Sequence, residues 1–219
     1  MPRQAMLAAI RRGLKRGPLA ADAQAMLLGR MAHHPRHTVP GRGQLPPAGR
    51  VALFAQMVER EFGTVARLPA LADVPGAVAT YLKTQNQPPA LVVSPHPVLA
   101  GLDFSGLAAR TGSTAAHDAA ALTYAFAGIA ETGTLMLPSG PQTPTVNNLL
   151  PDNAIVVIEA ARIVASYEDA FDLLRQTGAM PRNVMLVTGP SRSADIEQTL
   201  ELGAHGPRRL HVLIIDGAV

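Results

Sequence analysis

The sequence predicts an α/β protein with a mostly parallel sheet flanked by helices in three layers, preceded by a helical appendage. From about residue 50 onward, segments with helical periodicity alternate with short aliphatic runs, as in parallel strands joined by crossover helices. Apolar residues make up 47% of the 219 residues but aromatic residues only 4%. The core is therefore aliphatic, which favours α/β packing over an aromatic-rich sandwich.

The first 49 residues are predicted to form two helices and a linker. Apolar side chains at Met6, Ile10 and Leu14 recur at helical spacing within residues 3–16, and residues 20–32 form the second helix. Residues 35–49 are rich in Pro and Gly, which is typical of a linker. The predicted domains are thus the appendage, residues 1–49, and an α/β domain, residues 50–219.

The α/β domain has further elements of both types, placed by periodicity, β-branched content and capping residues. Helices are predicted at residues 50–62, 73–86 and 166–175, with a short helical turn at 145–151 and a last helix from Ser193 to Gly203. Strands are predicted at residues 64–68, 90–94, the second half of 118–129, 134–138, 154–158, 183–187 and 211–215.

Composition excludes several kinds of site. The chain has no Cys, which rules out a thiolate nucleophile and a self-ligated iron–sulfur cluster. Three histidines near residue 35 lack a neighbouring carboxylate, so we predict no metal site. The basic N-terminal residues lack interleaved aromatics, and we expect no nucleic-acid binding. No segment is apolar for long enough to span a membrane, and we expect a cytoplasmic protein.

The stretch from Gly128 to Thr134 brings a carboxylate and two hydroxyls together between two apolar runs. Glu131 is the candidate catalytic residue, because a carboxylate beside an apolar strand is partly desolvated and free to act as a base or a nucleophile. A structural role, in which Glu131 accepts backbone N–H bonds from the turn, is the alternative. Thr132, Gly133 and Thr134 complete this turn, and Ser139 follows the next apolar run.

A second polar cluster, Thr188 to Glu197, follows the predicted strand 183–187. A turn of Gly and Ser residues before a helix directs free N–H groups outward and suits an anion or a carboxylate. The candidate residues for binding a substrate or an anion here are Gly189, Ser191, Arg192, Ser193 and Asp195. Asp195 is alternatively a residue that complements the helix dipole, and Ser191 one that bonds the turn. His205 and Gly206, in the loop before the last strand, extend this set.

Four stretches in this order resemble the lactate-utilization protein C family, or LUD domain. They are Gly128–Thr134, Asn148–Pro151, Thr188–Glu197 and Gly203–Pro207. The resemblance covers roughly residues 50–216. It implies a fold similar to that of CoA-transferases, ribose-phosphate isomerases and glucosamine-phosphate deaminases, whose polar loops at strand ends bind anionic metabolites.

The resemblance further implies a role in oxidation of L-lactate to pyruvate, beside partner proteins that carry iron–sulfur clusters. Without Cys, this chain fits a non-redox component that binds a small carboxylate, the iron–sulfur partners or both, and that binds no cofactor itself. The alternative is a free-standing enzyme of the CoA-transferase or sugar-phosphate type that uses Glu131.

Overall fold

A computed structural model of the chain describes residues 3–194 and 200–217. The chain divides into two compact units, Met1–Val39 and Pro40–Val219. The first unit holds helices α1 (Arg3–Gly13) and α2 (Ala21–His33), as the sequence predicts, and neither helix has a buried residue. No helix in the described ranges combines the length and the apolar character that crossing a membrane requires.

The second unit holds the other elements of the described chain. Its helices are α3 (Pro47–Arg60), α4 (Val74–Thr84), α5 (Pro97–Ala100) and α6 (Tyr167–Gln176). Its strands are β1 (Thr64–Leu68), β2 (Ala90–Val93), β3 (Ala108–Thr111), β4 (Ala120–Tyr124), β5 (Ala127–Ile129), β6 (Thr134–Pro138), β7 (Asn153–Glu159), β8 (Ile163–Val164), β9 (Val184–Val187), β10 (Arg192–Ala194), β11 (Leu200–Leu202) and β12 (Arg209–Ile215).

Six strands form a fully parallel sheet in the order β1-β12-β7-β4-β2-β3. The central strands β12 and β7 are aliphatic along most of their length because both of their faces are covered, as parallel sheets require. Since the strands are parallel, their carboxyl ends share one edge of the sheet. This edge, called the carboxyl edge below, runs past Tyr124 at the end of β4 and Glu159 at the end of β7.

Helix α4 packs on one face of this sheet through Val78 and Leu82. The other face packs against α3, through Phe54, and against a second sheet with the order β8-β5-β6-β9. Helix α6 packs on that second sheet through Ala170 and Leu174. The predicted fold class, a mostly parallel sheet flanked by helices after an N-terminal helical segment, is confirmed. The second sheet was not anticipated from the sequence.

Two local predictions differ from the structure. The apolar run in residues 118–129 forms two strands, because the chain leaves the parallel sheet after β4 and enters the second sheet at β5. The predicted helix from Ser193 to Gly203 is wrong, since β10 pairs with β11 as an antiparallel ribbon. Backbone bonds from Ser191 N to Pro207 O and from Gly203 N to Ser191 O close the base of this ribbon.

Part of the segment predicted as a linker belongs to the second unit. A short 3-10 helix, Gly41–Gly43, precedes α3, and Gly43 is buried. A Cβ atom on Gly43 would lie 2.2 Å from the carbonyl oxygen of Ala165, so only glycine fits at this position without displacing the backbone. The division between the units falls after Val39, ten residues before the end of the predicted linker.

Candidate functional site

Glu131 lies in the turn between β5 and β6, and its side chain is buried. Its Oε1 atom accepts a 3.3 Å hydrogen bond from the backbone N–H of Tyr167, in the first turn of α6. Its Oε2 atom has no hydrogen-bond partner among the described residues. Gly133 turns the chain with φ of +69° and lies directly on α3, where a Cβ atom would approach the Val58 nitrogen to 2.6 Å. The turn is therefore packed tightly under α3 and α6.

The hydroxyls of this turn form a cluster with two other elements, in which Thr134 is buried, Thr132 and Tyr167 are half-buried and Thr188 is exposed. The Thr134 Oγ1 atom lies 2.7 Å from Thr132 Oγ1, 2.9 Å from the Tyr167 hydroxyl and 2.6 Å from Thr188 Oγ1. The Thr132 and Tyr167 hydroxyls are also 3.2 Å apart. This hydroxyl cluster, Thr132, Thr134, Tyr167 and Thr188, joins the β5–β6 turn to α6 and to the end of β9. The side-chain hydroxyls of these four residues hydrogen-bond within the cluster.

The second predicted cluster follows β9. Gly189, with φ of +86°, lies against α3, where a Cβ atom would approach the Glu61 carbonyl oxygen to 2.4 Å. Ser191 Oγ accepts a 3.3 Å hydrogen bond from His205 N, and Gly206 lies next to Ser191. The Arg192 guanidinium stacks 3.3 Å from the centroid of the Phe62 ring. Ser191, His205 and Gly206 therefore come together, as the sequence suggests.

The remaining predicted residues are dispersed. Ser139 makes two hydrogen bonds to the backbone of Asn183. Its Oγ atom accepts from Asn183 N at 3.0 Å, and its own N–H donates to Asn183 O. Ser193 contributes its backbone to β10, and Asp195 lies outside the described residues. No hydrogen bond within the described ranges links Glu131 to Ser191 or His205, because each group is bonded to its own neighbours. Substrate or anion binding by these residues remains a prediction. Part of that prediction depended on the N-terminus of a helix after Ser193, where the chain instead enters the β10–β11 ribbon.

A cavity of about 610 Å³ opens at the carboxyl edge of the parallel sheet. Its walls are the ends of β4, β6 and β7 with the loops that follow β2 and β6. It is lined by His96, Val98, Tyr124, Phe126, Pro138, Gly140, Pro141, Gln142, Thr143, Glu159 and Arg162. Its size and its mixture of aromatic and polar walls are typical of metabolite pockets, and ligands of open α/β sheets bind at this edge. We call it the carboxyl-edge pocket.

Three polar side chains on adjacent strand ends form a network in this pocket. The Oε1 atom of Glu159 accepts from the Tyr124 hydroxyl and, at 3.3 Å, from Arg162 Nε. The Arg162 Nη1 atom donates to the Phe126 carbonyl at 3.4 Å. Burial, followed by the bond to Glu159, raises the pKa of Tyr124, so the phenol keeps its proton at neutral pH.

His96 completes the wall from the loop after β2. Its ring stacks on the Tyr124 ring with centroids 4.4 Å apart. Its Nδ1 atom accepts from Val98 N at 3.3 Å, which leaves the proton of the neutral ring on Nε2. Burial and the nearby positive charge of Arg162 both lower the pKa of His96, so the ring is neutral at pH 7. The pocket therefore offers donors from Arg162 and His96 beside one carboxylate acceptor.

Asn147 holds the loops behind this wall. Its side chain is fully buried, and its Nδ2 atom donates to Ser94 Oγ and to the Gly112 carbonyl, both at 2.9 Å. Its Oδ1 atom accepts from Thr114 N at 2.8 Å. One amide thus fixes the chain after β2, which leads to His96, and the chain after β3.

The candidate residues taken from the sequence do not include His96, Tyr124, Glu159 or Arg162. A signal was present, because Tyr124 and Glu159 each end a run of apolar strand residues and Arg162 follows three positions after Glu159. Parallel neighbouring strands bring such terminal residues to one edge. The pairing of β4 with β7, which the sequence does not state, makes them neighbours.

The sequence model of a family described as the LUD domain matches residues 107–215. The chain carries a LUD domain. The family predicted from the four motifs is thereby confirmed. A solved structure of a DUF162 family protein from Deinococcus radiodurans shares the fold, with a TM-score of 0.59 and 22% identity over 78% of this chain and 99% of that one.

Curated relatives match this chain over stretches of 90–100 residues. An uncharacterized protein of Neisseria meningitidis is 43% identical over 90 residues, or 40% of this chain and 38% of that protein. The protein of Bacillus subtilis called lactate utilization protein C is 35% identical over 100 residues, or 43% of this chain and 42% of that protein. The protein of the same name from Shouchella clausii is 34% identical over 98 residues, 43% of each chain. The alignments thus span about two-fifths of these relatives.

Proposed function

We propose that this LUD-domain chain is a non-redox component of L-lactate utilization that binds a small carboxylate in the carboxyl-edge pocket. Relatives named lactate utilization protein C support the first part of this proposal. The observation that carries the second part is the convergence of Arg162, His96 and Glu159 on one cavity at the carboxyl edge.

The polar groups of the pocket complement an α-hydroxy acid or the corresponding keto acid. The Arg162 guanidinium lines the pocket and pairs with the ligand carboxylate, since guanidinium and carboxylate match in shape and charge. Glu159 repels that carboxylate but accepts a hydrogen bond from a ligand hydroxyl. The Nε2–H of His96 donates to a hydroxyl or a keto oxygen. Hydroxy acids thus meet both an acceptor and donors.

The cavity of about 610 Å³ is larger than a three-carbon acid, which leaves space beside the ligand for a group supplied by a partner. The chain has no Cys, so under this proposal the iron–sulfur clusters reside in partner subunits and this chain binds none. This chain would hold and orient the carboxylate, and the oxidant that takes up the two electrons and two protons released when lactate becomes pyruvate would have to be supplied by those partner subunits.

The alternative enzyme, with Glu131 as nucleophile, has weaker support. Glu131 is 3% exposed and one of its oxygens is bonded to the backbone of α6, so a substrate has no direct access to it in this conformation. Its position beneath α6 and Gly43 favours the structural role that the sequence left open. We therefore place the ligand in the carboxyl-edge pocket.

Growth of a strain that lacks this chain tests the proposed role. We expect growth on pyruvate but not on L-lactate as carbon source, and recovery when the wild-type chain is supplied. Supply of the Arg162→Met variant is expected to restore growth poorly, whereas Arg175→Met restores it fully. Arg175 is a matched control, because it also pairs with an acidic residue three positions earlier and lies 5.9 Å from a Phe ring, as Arg162 lies 5.8 Å from one. Equal growth of the deletion strain on both carbon sources would contradict the proposal.

A further inference from the structure

The walls of the carboxyl-edge pocket divide into a polar part and an apolar part. Glu159, Arg162 and the ring of His96 supply the polar groups assigned above to the carboxylate and to the oxygen on C2 of the ligand. Four further lining side chains are hydrocarbon, namely Val98, Phe126, Pro138 and Pro141. A three-carbon acid has one methyl group, which covers little of that wall. The apolar part therefore suits a larger hydrocarbon group on the ligand.

Phe126 lies beside the arginine that pairs with the ligand carboxylate. The Arg162 Cζ atom is 5.8 Å from the centroid of the Phe126 ring, and Arg162 Nη1 donates to the Phe126 carbonyl. Phe126 is half-buried, because its side chain packs against the core of the second sheet and also lines the pocket. A ligand held by Arg162 therefore has an aromatic side chain within reach of the substituent on its C3.

The remaining apolar wall is formed by short segments that are fixed in place. Val98 lies in the four-residue helix α5. Pro138 ends β6, and its carbonyl oxygen accepts from Thr143 Oγ1 at 2.7 Å. Gly140 and Thr143 also exchange two backbone hydrogen bonds, which close the loop that carries Pro141. Because these walls are ordered before the ligand arrives, covering them costs little conformational entropy.

A neutral substituent fits this pocket better than a second charged group does. Among the described residues that line the pocket, Arg162 is the only cation at neutral pH, since burial keeps His96 neutral. A dicarboxylic acid would therefore leave its second carboxylate unpaired in a pocket that also contains Glu159, which is unfavourable. The group that covers the hydrocarbon wall is thus apolar as well as large.

We propose that the carboxyl-edge pocket takes 2-hydroxy acids with a large apolar side chain, of which L-3-phenyllactate is an example, and that this side chain lies against Phe126 and Val98. The inference rests on the proposed function for the placement of the carboxylate on Arg162 and of the hydroxyl at Glu159. Phe126 and Val98 then determine specificity among 2-hydroxy acids. The group that a partner supplies reaches C2 from the open side of the pocket.

Calorimetric titration of the full-length chain with L-lactate and with L-3-phenyllactate tests this specificity. Burial of the aromatic ring is expected to make L-3-phenyllactate bind about 10- to 100-fold more tightly than L-lactate. Phe126→Ala is expected to lower this ratio of affinities about tenfold. The matched control is Phe171→Ala, since Phe171 also packs against the core of the second sheet and lies 5.9 Å from an arginine guanidinium but does not line the pocket. It is expected to keep the wild-type ratio.

A second variant approaches the same wall from α5. Val98→Phe fills the space for the ligand side chain, so it is expected to reverse the preference in favour of L-lactate. Equal affinities of the wild type for the two acids would overturn the inference, as would a ratio that neither Phe126→Ala nor Val98→Phe lowers. Tighter binding of L-malate than of L-3-phenyllactate would also overturn it.

The growth test distinguishes failure of this inference from failure of the proposed function. A chain that is required for growth on L-lactate but binds both acids equally retains the proposed function and loses the specificity. A chain that prefers L-3-phenyllactate through Phe126 but is dispensable for growth on L-lactate retains the specificity and loses the proposed role. Absence of binding of either acid would overturn the inference together with the assignment of the site.

Discussion

Replacement of Thr134 by Val tests whether the hydroxyl cluster holds the β5–β6 turn in place. Thr134 is fully buried, and its Oγ1 atom lies 2.6–2.9 Å from three other hydroxyl oxygens. A methyl group needs about 3.5 Å from such atoms, so valine both removes hydrogen bonds and crowds the cluster. Thr132 and Tyr167 still pair with each other, whereas Thr188 Oγ1 loses its hydroxyl partner.

Each lost neutral hydrogen bond lowers the free energy of unfolding by about 1 kcal/mol, and the exposed Thr188 hydroxyl bonds to water in place of its lost partner. We therefore expect Thr134→Val to lower the free energy of unfolding by about 2 kcal/mol and Tm by roughly 4–8 °C. Urea unfolding at 25 °C, followed by circular dichroism, measures the first quantity, and a thermal scan measures the second.

The control is Thr84→Val, which removes an exposed 2.8 Å bond to the Thr80 carbonyl within α4. It is expected to change the free energy of unfolding by less than about 0.5 kcal/mol. The structural interpretation of the Thr-Gly-Thr motif is refuted if Thr134→Val is as stable as the wild type but loses ligand binding. That result would return Thr132 and Thr134 to the role of ligand-binding residues.

Three further predictions concern single side chains. Glu131→Gln keeps the oxygen that accepts from Tyr167 N, so we expect a folded protein whose affinity for the carboxylate ligand, measured by calorimetry, is unchanged. A loss of that affinity with the fold intact would favour the enzyme that uses Glu131. Burial lowers the pKa of His211 to about 4, and its ring stacks on Tyr81 with centroids 4.2 Å apart. Because the unfolded state takes up the proton first, stability is lost as pH falls from about 6.5 to 4, by about 2 kcal/mol between pH 7 and 5. Urea unfolding should show this loss in the wild type and a much smaller one in His211→Phe, and equal losses would contradict it. Tyr124→Phe removes the phenol that donates to Glu159. We expect calorimetry to detect a several-fold change in the affinity for the hydroxy acid and little change in the affinity for the keto acid. Equal changes for the two acids would argue against contact between Glu159 and the ligand hydroxyl.

Most of the parallel sheet was predictable from the sequence because its strands are local signals, although β3 was not among the predicted strands. Short aliphatic runs such as Ala154–Ile158, bounded by polar residues or Pro, are typical of buried strands, since they are too short for a core helix. Strand pairing is not a local signal. The apolar run before Gly128 therefore gave no indication that β4 and β5 belong to different sheets.

The candidate site was harder to predict for the same reason. Glu131 and the hydroxyls near it were recognisable as a motif, but burial beneath α3 and α6 depends on contacts with residues far away in the chain, among them Val58 and Tyr167. Glu159 and Arg162 form no motif, and they become a pocket only through the register that places Tyr124 beside Val157, next to the end of β7. A helix after Ser191 was expected from capping residues, yet ribbon pairing between β10 and β11 prevailed.

Ligand binding at the carboxyl-edge pocket is the central claim, and calorimetric titration of the purified chain with L-lactate and with pyruvate tests it most directly. We predict saturable binding of at least one of the two acids to the wild type. We also predict at least a tenfold lower affinity for Arg162→Met and an unchanged affinity for Arg175→Met. Absence of binding to the wild type, or equal affinities for the wild type and both variants, would contradict the assignment of the site.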